Sequence, residues 1–235
     1  MAETNPLTEY FEKNKGNLIH KWMHYFDIYH RHFARFRGQP VTIMEFGVYH
    51  GGSLQMWQHY FGRKARIIGV DINPACKKFA GKNIEIYIGD QEDRDFLRKL
   101  MKKVGPVDVV IEDGGHTMNQ QLHTFEEVYP HVTKHGVFLI EDLHTSYWKS
   151  YGGGYRKAGT FIERVKDFID ELNAWHSHDG ESFAVTDFTK MTRSMHIYDS
   201  IVVFEKDEVA QPYHKMTGKP TIGEEVYVEG KYVKL

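Results

Sequence analysis

From Val41 to Glu141, short apolar runs that stop at turn residues alternate with stretches of helical amphipathic spacing. Val41–Gly47, Arg66–Asp71, Ile84–Ile88, Val107–Glu112 and Val137–Glu141 are rich in Val and Ile. Such runs read as strands buried on both faces, the kind found in parallel sheets. Helices are expected from Gly51-Gly52-Ser53 to Phe61, after Pro74, from Glu92 to Val104 and from Met118 to His131. Ser53 sits near a helix start and Pro74 suits a first turn. Strands alternating with helices of this length predict βαβ units, hence an α/β fold with a doubly wound, mostly parallel sheet.

The flanks read differently. Leu18 to Phe36 mixes aromatics with basic residues and histidines, without Gly or Pro until Gly38. It is expected to be one helix, lying on a side of the sheet or at an oligomer contact, and stopped by Gly38-Gln39-Pro40. Within it, His20 and His24 are one turn apart and read as a polar face, because carboxylate partners are scarce nearby. Residues 144–159 carry Tyr147, Trp148, Tyr151, Tyr155 and three consecutive glycines, the composition of a functional flap. A helix follows from Thr160 to Ala174, and then Met195–Tyr198 and Ile201–Glu205 form a hairpin around Asp199-Ser200. The tail from Gln211 ends in a second hairpin, Val226 to Val233 around Glu229-Gly230, which reads as an arm. Three segments result: 1–39, helical; 40–206, the α/β domain; and 207–235, the arm.

Composition narrows the partners. With 235 residues, 41% of them hydrophobic, the chain supports one substantial core. A net charge of −2 leaves no electrostatic footprint for nucleic acid or an anionic membrane. No stretch approaches the ~20 apolar residues of a membrane helix, and the N-terminus lacks an apolar signal core. The single cysteine, Cys76, excludes an internal disulfide and fits a cytoplasmic protein. It is read as a small buried hydrophobe.

Chemistry is concentrated at strand ends. Val109-Val110-Ile111-Glu112-Asp113-Gly114-Gly115-His116 and Phe138-Leu139-Ile140-Glu141-Asp142 both end in paired carboxylates. Ligands of open α/β sheets bind beyond the carboxyl ends of the strands. Neighbouring strands would set these acids about 5 Å apart, close enough to share a divalent cation. Glycines in Glu45-Phe46-Gly47-Val48-Tyr49-His50-Gly51-Gly52-Ser53 let the backbone approach a ligand. Asp71 is placed to accept from a ribose diol, and Asp90, beside Gln91, could take an adenine amino group. The turn reads G-x-x-x-G-G, not the G-x-G-x-x-G that cradles a pyrophosphate, so a phosphate-free adenosine cofactor fits better: S-adenosylmethionine.

Met44-Glu45-Phe46-Gly47-Val48-Tyr49-His50-Gly51-Gly52-Ser53, Gly69-Val70-Asp71-Ile72, Gly89-Asp90-Gln91, Ile111-Glu112-Asp113-Gly114-Gly115-His116 and Ile140-Glu141-Asp142-Leu143-His144-Thr145-Ser146-Tyr147-Trp148 together resemble one family. It is the class I, metal-dependent sugar O-methyltransferases of macrolides and related natural products, and the resemblance covers roughly residues 40 to 205. It implies a Rossmann-like sheet of seven strands with an antiparallel strand near the C-terminus. It implies Mg²⁺ held by Asp113, Glu141 and Asp142, with His116 as general base. S-adenosylmethionine would lie near Glu45, Gly47, Asp71 and Asp90, with Tyr49, Ser53, Gln91 and Asp113 around it. The family often carries Asp-Asp-Gly-Ser-His where this chain has Glu112-Asp113-Gly114-Gly115-His116, which keeps ligand and base. The N-terminal helix, the flap interior and the arm match little, so the acceptor does not carry over.

Methyl transfer from a sulfonium needs an aligned oxygen nucleophile in a dry site. A hard cation lowers the pKa of a coordinated hydroxyl, and two neighbouring hydroxyls could chelate it. An imidazole, with an ordinary pKa near 6.5, suits the proton transfer. His144 is a rival base or an acceptor contact. The expected activity is methylation of a sugar hydroxyl by a homo-oligomer. A catechol-type enzyme acting on a phenolic diol is the nearest alternative, followed by a nicotinamide-dependent oxidoreductase and a non-catalytic scaffold.

Overall fold

Seven strands make the central sheet in the order β3-β2-β1-β4-β5-β7-β6. The structure, a computed structural model, describes residues 5–219, 221, 225–228 and 230–234. Strands β1 (Thr42–Phe46), β2 (Arg66–Asp71), β3 (Ile84–Ile88), β4 (Val107–Glu112) and β5 (Val132–Ile140) are parallel. Strands β6 (Thr192–Ile197) and β7 (Val202–Lys206) pair antiparallel around Ser200, and β7 pairs antiparallel with β5. This is the doubly wound, mostly parallel sheet that the spacing of strands and helices predicts, with the antiparallel strand near the C-terminus that the family resemblance implies. Among the described residues no helix is long and apolar enough to cross a membrane.

Alternation along each strand sorts side chains into two cores. Ile43, Ile67, Ile111 and Leu139 face α2 (Tyr25–Phe33) and α3 (Gly52–Phe61). Met44, Ile68, Val110 and Phe138 face α4 (Arg94–Val104), α5 (Met118–Val128) and α6 (Phe161–Leu172). The strand runs were legible because both faces are covered, so apolar residues occur at every position rather than every second one.

The N-terminal region departs from expectation. Leu18 to Phe36 is not one helix: Leu18 to His24 is irregular, and α2 begins at Tyr25. The reason is tertiary: the backbone at Asn17 and Leu18 lies against Gly52 at the start of α3, and Lys21 pairs with acids at the sheet edge. A further helix, Pro6–Glu12, is capped by Asn5, whose side chain accepts from the Leu7 amide. Pro74–Phe79 is a 3-10 helix rather than an α-helix, and a short helix, Asp187–Met191, joins α6 to β6. At the C-terminus β8 (Glu225–Val228) and β9 (Lys231–Lys234) form a separate antiparallel pair. Glu229, expected in its turn, lies outside the described residues.

Candidate active site

Strand register decides which residues share the edge. Phe46 is level with Val70 and Glu112, and Glu112 with Ile140. The next residues, Gly47, Asp71, Asp113 and Glu141, therefore leave the sheet side by side. The ladder runs on through them: Asp113 N donates to Phe46 O at 3.1 Å and Glu141 N to Glu112 O at 2.9 Å. Above this edge lies a cavity of about 550 Å³. Asp71, Asp90 and Gln91 line it, as do Gly47, Tyr49, Ser53, Asp113, His116 and Asp142.

The cofactor half rests on close backbone approach. Gly47 has φ +90°, and a Cβ there would sit 1.9 Å from the Asp113 carbonyl oxygen. Gly47→Ala is expected to destabilise the fold by at least about 2 kcal/mol. Gly105→Ala, with similar φ but nothing within 4 Å of its added Cβ, should cost less. Urea unfolding of the pair checks the difference, and equal losses would dismiss the close approach. Asp71 organises the turn: its Oδ2 accepts from Val48 N at 2.8 Å and Tyr49 N at 3.0 Å, and its Oδ1 from Asn73 N at 2.8 Å. Gln91 is buried, donating to Glu112 Oε1 at 2.6 Å and accepting from Gly115 N at 3.2 Å.

Glu45 does not line the cavity. Period-two alternation turns it to the face of Ile43, where Oε2 accepts from Ser53 Oγ at 2.7 Å and Oε1 from Trp57 Nε1 at 2.8 Å. Burial pushes its pKa up to about 7, against the pull of Lys21 and these two donors. Cys76 lines the cavity beside Tyr49, and burial raises its thiol to about 11, which does not suit a nucleophile.

The acids meet at the other end. His116 Nε2 is 3.6 Å from Asp113 Oδ1 and 3.4 Å from Asp142 Oδ2. Ligand atoms of these three residues all lie within 4.8 Å of one another. His116 and Asp142 both hold left-handed backbone, φ 57° and 55°. Such conformations in non-glycine residues cost about 1–3 kcal/mol each and persist where surroundings fix them. Here Thr145 fixes both, its hydroxyl lying 3.1 Å from the carbonyl oxygen of His116 and 2.8 Å from that of Asp142.

Lys21, Tyr25 and Tyr29 escaped the sequence reading. Lys21 donates to Asp113 Oδ2 and, at 2.8 Å, to Glu141 Oε2, its side chain only 3% exposed. Tyr25 Oη donates to Asp142 Oδ1 at 2.6 Å. Separations of 92, 120 and 117 residues explain the omission, because no local pattern encodes such contacts. Burial opposes the charge on Lys21, yet Asp113, Glu141 and Glu45 outweigh it and hold the ammonium above its ordinary pKa. Glu141 is pushed well above the usual carboxylate range by burial and by Asp113, with Lys21 opposing. Glu141 therefore holds a proton more readily than an ordinary carboxylate. Its Oε1 is buried without a hydrogen-bond partner among the described residues, outside the converging group of Asp113, His116 and Asp142. Burial also raises Glu112, whose Oε1 is spent on Gln91 and Gly114.

On the flap, His144 pairs with Ser200 Oγ at 2.9 Å and stacks edge-on against Trp22 and Trp148. This brings the N-terminal segment and the flap together beside Asp142.

Known proteins match this arrangement. Residues 44–143 match a methyltransferase domain family. The 8-demethyl-8-(2-methoxy-alpha-L-rhamnosyl)-tetracenomycin-C 3'-O-methyltransferase of Streptomyces olivaceus is 36% identical over 195 residues, covering 79% of this chain and 50% of the relative. Demethylmacrocin O-methyltransferase of Streptomyces fradiae is 31% identical, covering 87% of this chain and 53% of the relative. Among solved structures, the MycE methyltransferase from the mycinamycin biosynthetic pathway, in complex with Mg and SAH, superposes with a TM-score of 0.77 at 29% identity. That match covers 87% of this chain and 54% of MycE. The chain spans about half the length of the curated relatives it matches. Residues 44–143 thus carry a methyltransferase domain, and in sequence and in fold the chain is similar to sugar O-methyltransferases of macrolide and tetracenomycin pathways.

Proposed function

We propose that this chain transfers a methyl group from S-adenosylmethionine to a sugar hydroxyl of a natural-product glycoside, with Mg²⁺ as cofactor. The observation that carries the reading is the convergence of Asp113, His116 and Asp142 at one end of a cavity whose other end is lined by Asp71 and Asp90. The relatives are named for methylating sugars, and MycE was solved with Mg, SAH and mycinamycin VI. A homo-oligomeric, cytoplasmic enzyme belongs to the same reading.

The donor set fits the ion. Carboxylate oxygens suit a hard divalent cation, and Glu141 Oε1 is an unpartnered buried oxygen among the described residues. Asp113, Glu141 and Asp142 would hold it, and when bound it lowers the pKa of an acceptor hydroxyl. Asp71 would take the ribose hydroxyls and Asp90 the adenine amino group, with the Gly47–Ser53 turn around the methionine end. His116 Nε2 takes the hydroxyl proton as the oxygen attacks the methyl carbon and the carbon–sulfur bond breaks. Trp22, His144 and Trp148 pack together beside Asp142 and would cover the acceptor once it is bound.

Calorimetric titration of S-adenosylhomocysteine, then of Mg²⁺ into that complex, tests the cofactors, and methylation of a glycoside panel tests the acceptor. Light scattering on the same sample reads the oligomeric state. Heat on NAD in place of S-adenosylhomocysteine would overturn the reading. Turnover on catechols but no sugar would move it to the phenolic class.

The raised acids give this binding a sign. Glu45 and Glu141 bind protons more tightly folded than unfolded, so in EDTA their contribution to stability is fully present below the ordinary glutamate pKa near 4.5. It is lost as pH rises, through about 7 for Glu45. Mg²⁺ must displace a proton from Glu141, so its affinity is expected to rise as pH is raised above the ordinary glutamate range, with proton release. Titrations in two buffers of different ionisation enthalpy check this, and a pH-independent affinity would refute it.

A further inference from the structure

Nothing in the proposed chemistry assigns a task to Lys21, yet its side chain is a buried link between the N-terminal segment and the acids. Its ammonium binds one oxygen of Asp113 and one of Glu141, acids delivered by adjacent strands, and lies 5.8 Å from the Tyr29 ring centre. Asp113 Oδ1 is thereby left facing His116, while the Tyr25 hydroxyl holds Asp142 in the same way by Oδ1, leaving Oδ2 to His116. The segment that carries Lys21 is also a wall of the cofactor cavity: Leu18, Ile19, His20 and Lys21 all line it. The strap is seated at its other end on the start of α3. Asn17 N donates to Gln55 Oε1 at 3.2 Å, and a Cβ on Gly52 would fall 2.3 Å from the Leu18 carbonyl oxygen. Asn17 to Lys21 is therefore a strap fixed at both ends, one on the cofactor-side helix and the other on the acid cluster.

We propose that Lys21 is a positioning residue that performs both tasks. It orients Asp113 and Glu141 so that their remaining oxygens are presented for the cation, and it fastens residues 17–21 across the cofactor cavity. Assembly of the metal site and closure of the cofactor wall are then one event, and the two ligands bind with positive cooperativity. This rests on the methyltransferase reading above.

The test separates positioning from charge. A lysine acting only through its charge repels Mg²⁺, so its loss would tighten cation binding. A positioning lysine behaves oppositely, because unpinned carboxylates must be re-ordered on binding. Lys21→Met keeps the stem and removes the ammonium. Mg²⁺ titrated into the S-adenosylhomocysteine complex is expected to bind about tenfold more weakly to this variant, with amide exchange across residues 17–21 accelerated. Equal or tighter Mg²⁺ binding by a folded variant overturns the proposal.

Should Lys21→Met fail to melt cooperatively, wild-type protein supplies the answer. Exchange at residues 17–21 is expected to slow with S-adenosylhomocysteine and to slow again when Mg²⁺ is added. Exchange that ignores Mg²⁺ overturns the coupling. Wild type that binds no S-adenosylhomocysteine overturns the methyltransferase reading itself, an outcome distinct from failure of Lys21 alone.

Discussion

Asp142→Asn is expected to abolish Mg²⁺-dependent methyl transfer, by at least about a hundredfold, while leaving S-adenosylhomocysteine binding in EDTA intact. Several kcal/mol of transition-state stabilisation come from a bound Lewis acid, and each 1.36 kcal/mol is tenfold in rate. The substitution suits the backbone, because Asn tolerates the left-handed conformation that Asp142 adopts at φ 55°. Tyr25 Oη can still donate to the amide oxygen, so the fold should hold. The cavity end near Asp71 and Asp90 is untouched, which is why cofactor affinity is the internal control. Calorimetry and a methyl-transfer assay with and without EDTA read the result. A variant that keeps full activity in EDTA would remove the metal from the mechanism.

His116→Asn should separate base from ligand. Removal of a general base costs about 10²–10⁴ in rate. Loss of kcat with KM and Mg²⁺ affinity nearly unchanged identifies His116 as the group that takes the acceptor proton. Its Nε2 stands 3.4 Å from Asp142 Oδ2, so a ligand role would instead show as weakened Mg²⁺ binding, and that outcome would refute the base. Asparagine accepts φ 57°, and Thr145 contacts the backbone carbonyl rather than the ring, so positioning of the turn survives.

Much of the site was readable because strand ends are local features. Asp71, Asp90, Asp113, His116, Glu141 and Asp142 each follow an apolar run, and a parallel sheet gathers the residues that follow its strands at one edge. Glu45 shows the limit of that logic. Being one residue inside the strand rather than beyond it, it obeys the two-residue alternation and is bonded to Ser53 and Trp57, away from the cavity. The stretch from Leu18 to His24 shows another. Its composition suits a helix, yet it runs irregularly and carries Lys21 to acids 92 and 120 residues away, partners that no local pattern encodes.

The sequence by itself determined the doubly wound sheet, the strand that carries each acid and the absence of a pyrophosphate turn. Those properties follow from periodicity and from the residues that end each run. Tertiary structure decided which oxygens of Asp113, Glu141 and Asp142 remain free, which residues adopt left-handed backbone, and that a lysine from the N-terminal segment bridges Asp113 and Glu141. These depend on strand register and on contacts between segments far apart in the chain, whose energies no local window of residues contains.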